Sequence, residues 1–208
     1  MRLWRASPTV FAVLAAVSIA AELLLRTVPV VGTVLTQVVL PLVECSLLYG
    51  SLAADRGDRP RLRHLAAVLG APPRALVAVV LASLIGFVGQ VLAASTLTDI
   101  DLLAASGMPD DVTLVQVMLV VAAGVLVSLP VSFVAPIALF DDPGVRNAFH
   151  ESFAAFSRNA APLLLYGALS LGLFVFGIVT SGVGLLLVLP WLAASSYAAW
   201  KDIFAVPG

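Results

Sequence analysis

Three ionisable residues fall within long apolar stretches of the chain: Glu22, Arg26 and Glu44. A charge at membrane depth is expensive unless it is paired or hydrated, so such groups are the first places to look for chemistry. Glu22 and Arg26 are four residues apart with the acid first, the order that favours an ion pair on one helix face. Glu44 has no basic residue near it in sequence and follows Pro41 by three positions. It admits three readings: a neutral acid hydrogen-bonded within a helix bundle, a partner for Arg26 or another base, or a proton or cation site in a hydrated cavity. Three Leu-Pro steps bear on the choice. Pro41, Pro130 and Pro190 each deprive a carbonyl four residues earlier of its usual donor (those of Gln37, Leu126 and Leu186). With Gln37, Ser128, Ser132, Ser195 and Ser196, these carbonyls could line a polar cavity, the setting in which irregular backbone is tolerated inside a membrane.

Other chemistry has little support in the sequence. It contains no H-E-x-x-H and no G-x-S-x-G, and His64 and His150 both fall in polar segments. His150, Glu151 and Arg146 read as the wet face of one amphipathic helix. A single cysteine, Cys45, excludes an intrachain disulfide and makes a Cys/His zinc site improbable. We expect no catalytic residue, no cofactor and no metal. Basic and acidic residues balance, 11 against 12, and no long Lys/Arg run is present, so nucleic acid is not an expected partner.

The elements that must position these residues follow from composition. Hydrophobic residues make up 61% of the 208 and charged residues 11%, against about 25% charged in soluble domains. The chain reads as an all-α polytopic membrane protein, a single integral membrane domain over residues 1–208. Six runs are long enough to cross a bilayer: Pro8 to Val28, Val30 to Ala54, Ala75 to Leu97, Thr113 to Phe140, Pro162 to Thr180, and Gly182 to Trp200. They pair into hairpins over about 8–54, 75–140 and 162–200, joined by linkers over about 55–74 and 141–161. The run from Thr113 to Phe140, with Pro130 and Pro136, should tilt or kink.

Ten of the eleven basic residues fall on one side of this arrangement, and only Arg26 on the other. Basic residues gather in cytoplasmic loops, which places both termini in the cytoplasm of a bacterial inner membrane. The first run has a rival reading as a signal peptide cleaved near Ser18-Ile19-Ala20.

The returning helices share a pattern: VVLPLVECSLLYGSLAAD, VSLPVSFVAPIALFDD and LVLPWLAASSYAAWKD each carry Leu-Pro followed by an aspartate. The outgoing helices each begin near a proline (Pro8, Pro72-Pro73, Pro162), which suits a first turn. This suggests an internal repeat of three hairpins. Both linkers read as interfacial helices. In the second, Asp142 is expected to cap and Pro143 to start a helix burying Val145, Phe149, Ser152 or Phe153, and Phe156. The first carries Arg59, Arg61 and Arg63, candidate contacts to anionic lipid. Small residues at four-residue spacing, Ala78, Ala82 and Gly86 and then Ala168 and Gly172, are expected at helix contacts.

These segments resemble a family of proteobacterial six-helix inner-membrane proteins with no assigned activity. The resemblance rests on the Pro29-to-Gly32 turn, the Asp-x-Gly-x-x-Pro step from Asp55 to Pro60, and the closing Tyr197-Ala-Ala-Trp-Lys-Asp-Ile-Phe204. More distantly the chain is similar to the membrane domain that accompanies some glycerophosphodiester phosphodiesterases. The lead MRLWRASP is shorter than the family's usual amphipathic start. The resemblance implies fold and location and no catalytic residue. The leading expectation is a non-enzymatic accessory, scaffold or lipid-associated membrane protein, with the bilayer, a protein partner or a second copy as partners. The alternative is a small transporter or channel built on Glu44 and the proline kinks.

Overall fold

A computed structural model describes residues 8–26, 28, 31–58, 67–98, 100–103, 112–180 and 182–204. Among these the regular secondary structure is helical, with no strand. Helix α1 (Pro8–Arg26) and α2 (Val31–Asp55) form the first hairpin. A Cβ on Gly32 would lie 1.8 Å from the Leu25 carbonyl oxygen, so this turn admits only glycine. Helix α3 (Pro73–Leu97) starts on its proline, and α4 (Leu114–Ser128) opens with a reciprocal capping box between Thr113 and Gln116. After a 3-10 turn (Leu129–Val131) come α5 (Val134–Phe140), α6 (Val145–Arg158), α7 (Ala160–Val179) and α8 (Leu185–Phe204).

Four stretches are long and apolar enough to cross a membrane: Leu35–Asp55, Pro73–Leu97, Leu114–Phe140 and Ala160–Gly177. The expectation of six is met on this measure, among the described residues, by four. Helix α8 falls short because Pro190, Trp191, Ser195, Ser196, Tyr197, Lys201 and Asp202 dilute its apolar content.

Burial runs opposite to that of a water-soluble bundle. On α3 the exposed stripe is Val77, Leu81, Ile85, Val88 and Leu92, whereas the buried face is Ala75, Ala78, Val79, Gly89, Ala93 and Ala94. Large apolar side chains face out and small residues face in, as expected when the solvent is hydrocarbon and close backbone contact supplies the cohesion.

The helices pack in a closed order: α1 on α2, α2 on α3, α3 on α4, α4 on α7, α7 on α8, and α8 back on α1. Helix α8 also packs on α2. The α3–α4 contact is the tightest, because a Cβ on Gly89 would stand 2.8 Å from Val127, and one on Gly124 2.4 Å from the Gln90 side chain. Ala78 is fully buried as expected, and Gly86 faces Ser128. Ala168 and Gly172 are exposed instead, and Gly167 is the small residue of α7 that meets α4, at Leu129 and Val125.

The α-helical run from Leu114 to Phe140 is interrupted at Pro130, which lies in the 3-10 turn between α4 and α5. One further expectation is corrected. Asp142 does not cap α6, which begins after Gly144 in a left-handed conformation (φ 86°) with no side-chain cap. Pro41 and Pro190 lie within continuous α2 and α8.

Candidate functional site

Among the described residues, hydroxyls of the predicted polar site turn to backbone carbonyls. Ser128, Ser132 and Ser195 donate to carbonyls of their own helical segments, at Val125, Leu129 and Leu192. Tyr166 of α7 also donates to the Leu192 carbonyl, at 3.3 Å. Gln37 is half-buried and makes no hydrogen bond with a described residue, and Pro190 is fully buried in packed core. Glu44 is half-buried beside buried Cys45 and engages in interactions within the protein. The side chains of Glu22 and Arg26 lie outside the described residues, and so do Arg59, Arg61 and Arg63 altogether.

What the fold does bring together is one end of the bundle, where α2, α5 and α8 finish. Phe140 is the hub: its ring centroid lies 5.6 Å from Tyr49, 6.0 Å from Tyr197 and 5.2 Å from Trp200. These offset and edge contacts tie three returning helices into one aromatic cluster. Two of the aspartates that trail the Leu-Pro steps acquire partners here, whereas Asp202 is exposed. Asp55 accepts from Lys201 Nζ at 2.5 Å and from the Tyr197 hydroxyl at 3.1 Å, joining the ends of α2 and α8. Asp142 receives a two-point contact from Arg74 at the start of α3, with Nε at 2.6 Å. The sequence pattern had singled out these aspartates; the bases they meet sit 146 and 68 residues away and carry no local signal.

Electrostatics separate the two neighbours Asp141 and Asp142. The hydrogen bond from Arg74 holds the Asp142 carboxyl below the ordinary carboxylate range. Burial pushes Asp141 up, and the nearby Trp200 indole partly offsets this. The indole N–H itself is buried and makes no hydrogen bond of good geometry.

Ser152 is the residue that sequence reasoning undervalued. It projects from α6 into the break after α4, donates to the Pro130 carbonyl at 2.9 Å and accepts from the Phe133 N–H at 3.2 Å. One fully buried hydroxyl thus satisfies a carbonyl and an N–H freed by the break, so irregular backbone is tolerated there. Phe153, an alternative at that position of the pattern, is 60% exposed.

The other face of α6 borders a groove with a volume of about 360 Å³, lined by His150, Glu151, Arg158 and Asn159 on one side and Ile203 and Phe204 of α8 on the other. Among the described residues, no group of His, Cys, Asp and Glu is placed to hold a metal. No family model, no curated protein and no solved structure matches this chain.

Proposed function

We propose that the chain is a six-helix integral protein of a bacterial inner membrane, with both termini cytoplasmic, acting as a non-enzymatic, lipid-associated accessory or scaffold component. Helices α1 and α8 complete the four long apolar spans, because they close the packing order and carry exposed apolar residues such as Leu24 and Leu187. The resemblance to proteobacterial inner-membrane proteins and the one-sided basic residues support the location and orientation.

The observation that carries the functional reading is close packing among the described residues. Phe133, Val134, Pro136, Ile137, Pro190 and Tyr197 are fully buried where the returning helices converge, and the hydroxyls near the Leu-Pro steps bond back to the backbone. A packed core with inward-satisfied serines supports a structural role over a hydrated path. The three hairpins read as an approximate threefold repeat, since each returning helix packs on the next hairpin's outgoing helix: α2 on α3, α4 on α7 and α8 on α1.

Flux through reconstituted vesicles tests this reading. Vesicles with wild-type protein should hold a proton or sodium gradient as well as empty ones, and Glu44→Gln should change nothing. A flux present in wild type and removed by Glu44→Gln would instead establish the transporter reading, because Gln keeps the shape of the side chain and cannot cycle a charge.

A further inference from the structure

We propose that the groove between α6 and the end of α8 binds a phosphoethanolamine group, the headgroup of a zwitterionic phospholipid at the membrane surface. The proposal rests on the lipid-associated reading above and gives it a ligand class.

Glu151 and Arg158 are seven residues apart on α6, which puts them on the same face with about 10 Å between them along the axis. That is too far for the direct pairing open to residues three or four apart, and neither makes an ion pair or side-chain hydrogen bond with a described residue. Both border one groove, closed on its far side by Ile203 and Phe204. Glu151 is half-buried and receives no donor from a described residue.

An unpaired anion and an unpaired cation at opposite ends of a groove fit a ligand with the reverse charges at its two ends. A phosphate accepts two parallel hydrogen bonds from the Arg158 guanidinium. A primary ammonium at the other end donates to Glu151. The spacing leaves room for the phosphate, the two-carbon link and the ammonium, with a hydrogen bond at either end. A purely anionic headgroup would satisfy Arg158 and meet repulsion from Glu151. The apolar wall of Ile203 and Phe204 suits the glycerol and first acyl carbons, which binds the group as a lipid in preference to the free solute.

The test uses the full chain in nanodiscs holding equal phosphatidylethanolamine and phosphatidylglycerol, with retained lipid counted by native mass spectrometry. Wild type should retain phosphatidylethanolamine in preference. Glu151→Gln should lower that retention by about tenfold, the loss of one charge-assisted hydrogen bond, without weakening phosphatidylglycerol. Arg158→Gln should lower both, and Arg146→Gln, on the same helix outside the groove, should lower neither. Free phosphoethanolamine should compete only at much higher concentration. Competition at equal concentration would overturn the lipid as source while upholding the headgroup chemistry. Equal retention of the two lipids, unaffected by Glu151→Gln, would overturn the groove assignment alone. A protein that reconstitutes into no bilayer would overturn the membrane reading on which it rests.

Discussion

Ser152 does at Pro130 what an ordered water does in many soluble cores: it donates to a stranded carbonyl and accepts from a stranded N–H. Removing it leaves the Pro130 carbonyl and the Phe133 N–H without this partner. We expect Ser152→Ala to destabilise the protein by about 1–3 kcal/mol, read as a lower midpoint in detergent denaturation, with the helical content of the folded state unchanged. The pair at Asp142 makes a prediction of a different kind. Because Arg74 depresses the folded-state pKa of Asp142, the pair contributes stability above the unfolded-state value near 3.8 and loses it as pH falls through the lower folded value. Asp141 works the other way, since its raised pKa favours the protonated form in the folded protein and costs stability at neutral pH. Melting curves should therefore show Asp142→Asn below wild type at pH 7 by a small, salt-sensitive margin. The two should converge as pH falls through the lowered folded-state value of Asp142. A gap that does not narrow as pH falls would mean that Asp142 acts through its shape and not its charge.

At the scale of elements, α3 and α4 approach closely because glycine alternates across their contact. Gly89→Ala places a methyl 2.8 Å from the Cβ of Val127, an atom that can give way only if its backbone shifts. We expect it to destabilise by about 1–3 kcal/mol. Gly172→Ala, on the outer face of α7 with nothing within 4 Å, should be neutral or stabilise by about 0.5 kcal/mol. Stability measured side by side on the two variants checks the assignment of faces, and equal effects would contradict it. The existence and rough limits of these helices were legible, because apolar runs bounded by prolines leave few alternatives. Which small residues face inward was only partly legible. Ala78 and Gly86 face neighbours and Ala168 and Gly172 do not, yet all four share the same spacing. In a chain this apolar the lipid side and the protein side look alike. The break at Pro130 read as a kink for a related reason: the group that supports it comes from a residue 22 positions away, in a segment whose pattern drew attention to its phenylalanines. The candidate polar site was the least legible, since serines in apolar helices can turn to a shared cavity or back to their own backbone, and only packing decides which.

For the whole molecule, closure of the helix ring and the long-range ion pairs constrain topology together. Asp55 ends α2 and Lys201 lies in the last turn of α8, and their contact puts those two helix ends on the same face. On the six-span reading proposed above, the chain crosses an even number of times between them, through α3, the α4–α5 segment, α7 and α8. Arg74 and Asp142 place the start of α3 and the end of α5 side by side in the same way. Helix α1 has structural work in this arrangement, since it packs on both α2 and α8. Cleavage near Ala20 would remove about two thirds of it and open the ring, which weighs against the signal-peptide reading. The intact protein should therefore keep its first helix, and its mass after membrane extraction should match the uncleaved chain. Reporters inserted after Asp58 and after Phe204 should give the same answer, active in the cytoplasm and silent in the periplasm, because the basic residues gather at that face. Opposite answers from the two insertions would break the Asp55–Lys201 contact and the even crossing count at once. Matching periplasmic activity would keep the fold and invert its orientation, against the basic asymmetry of the chain.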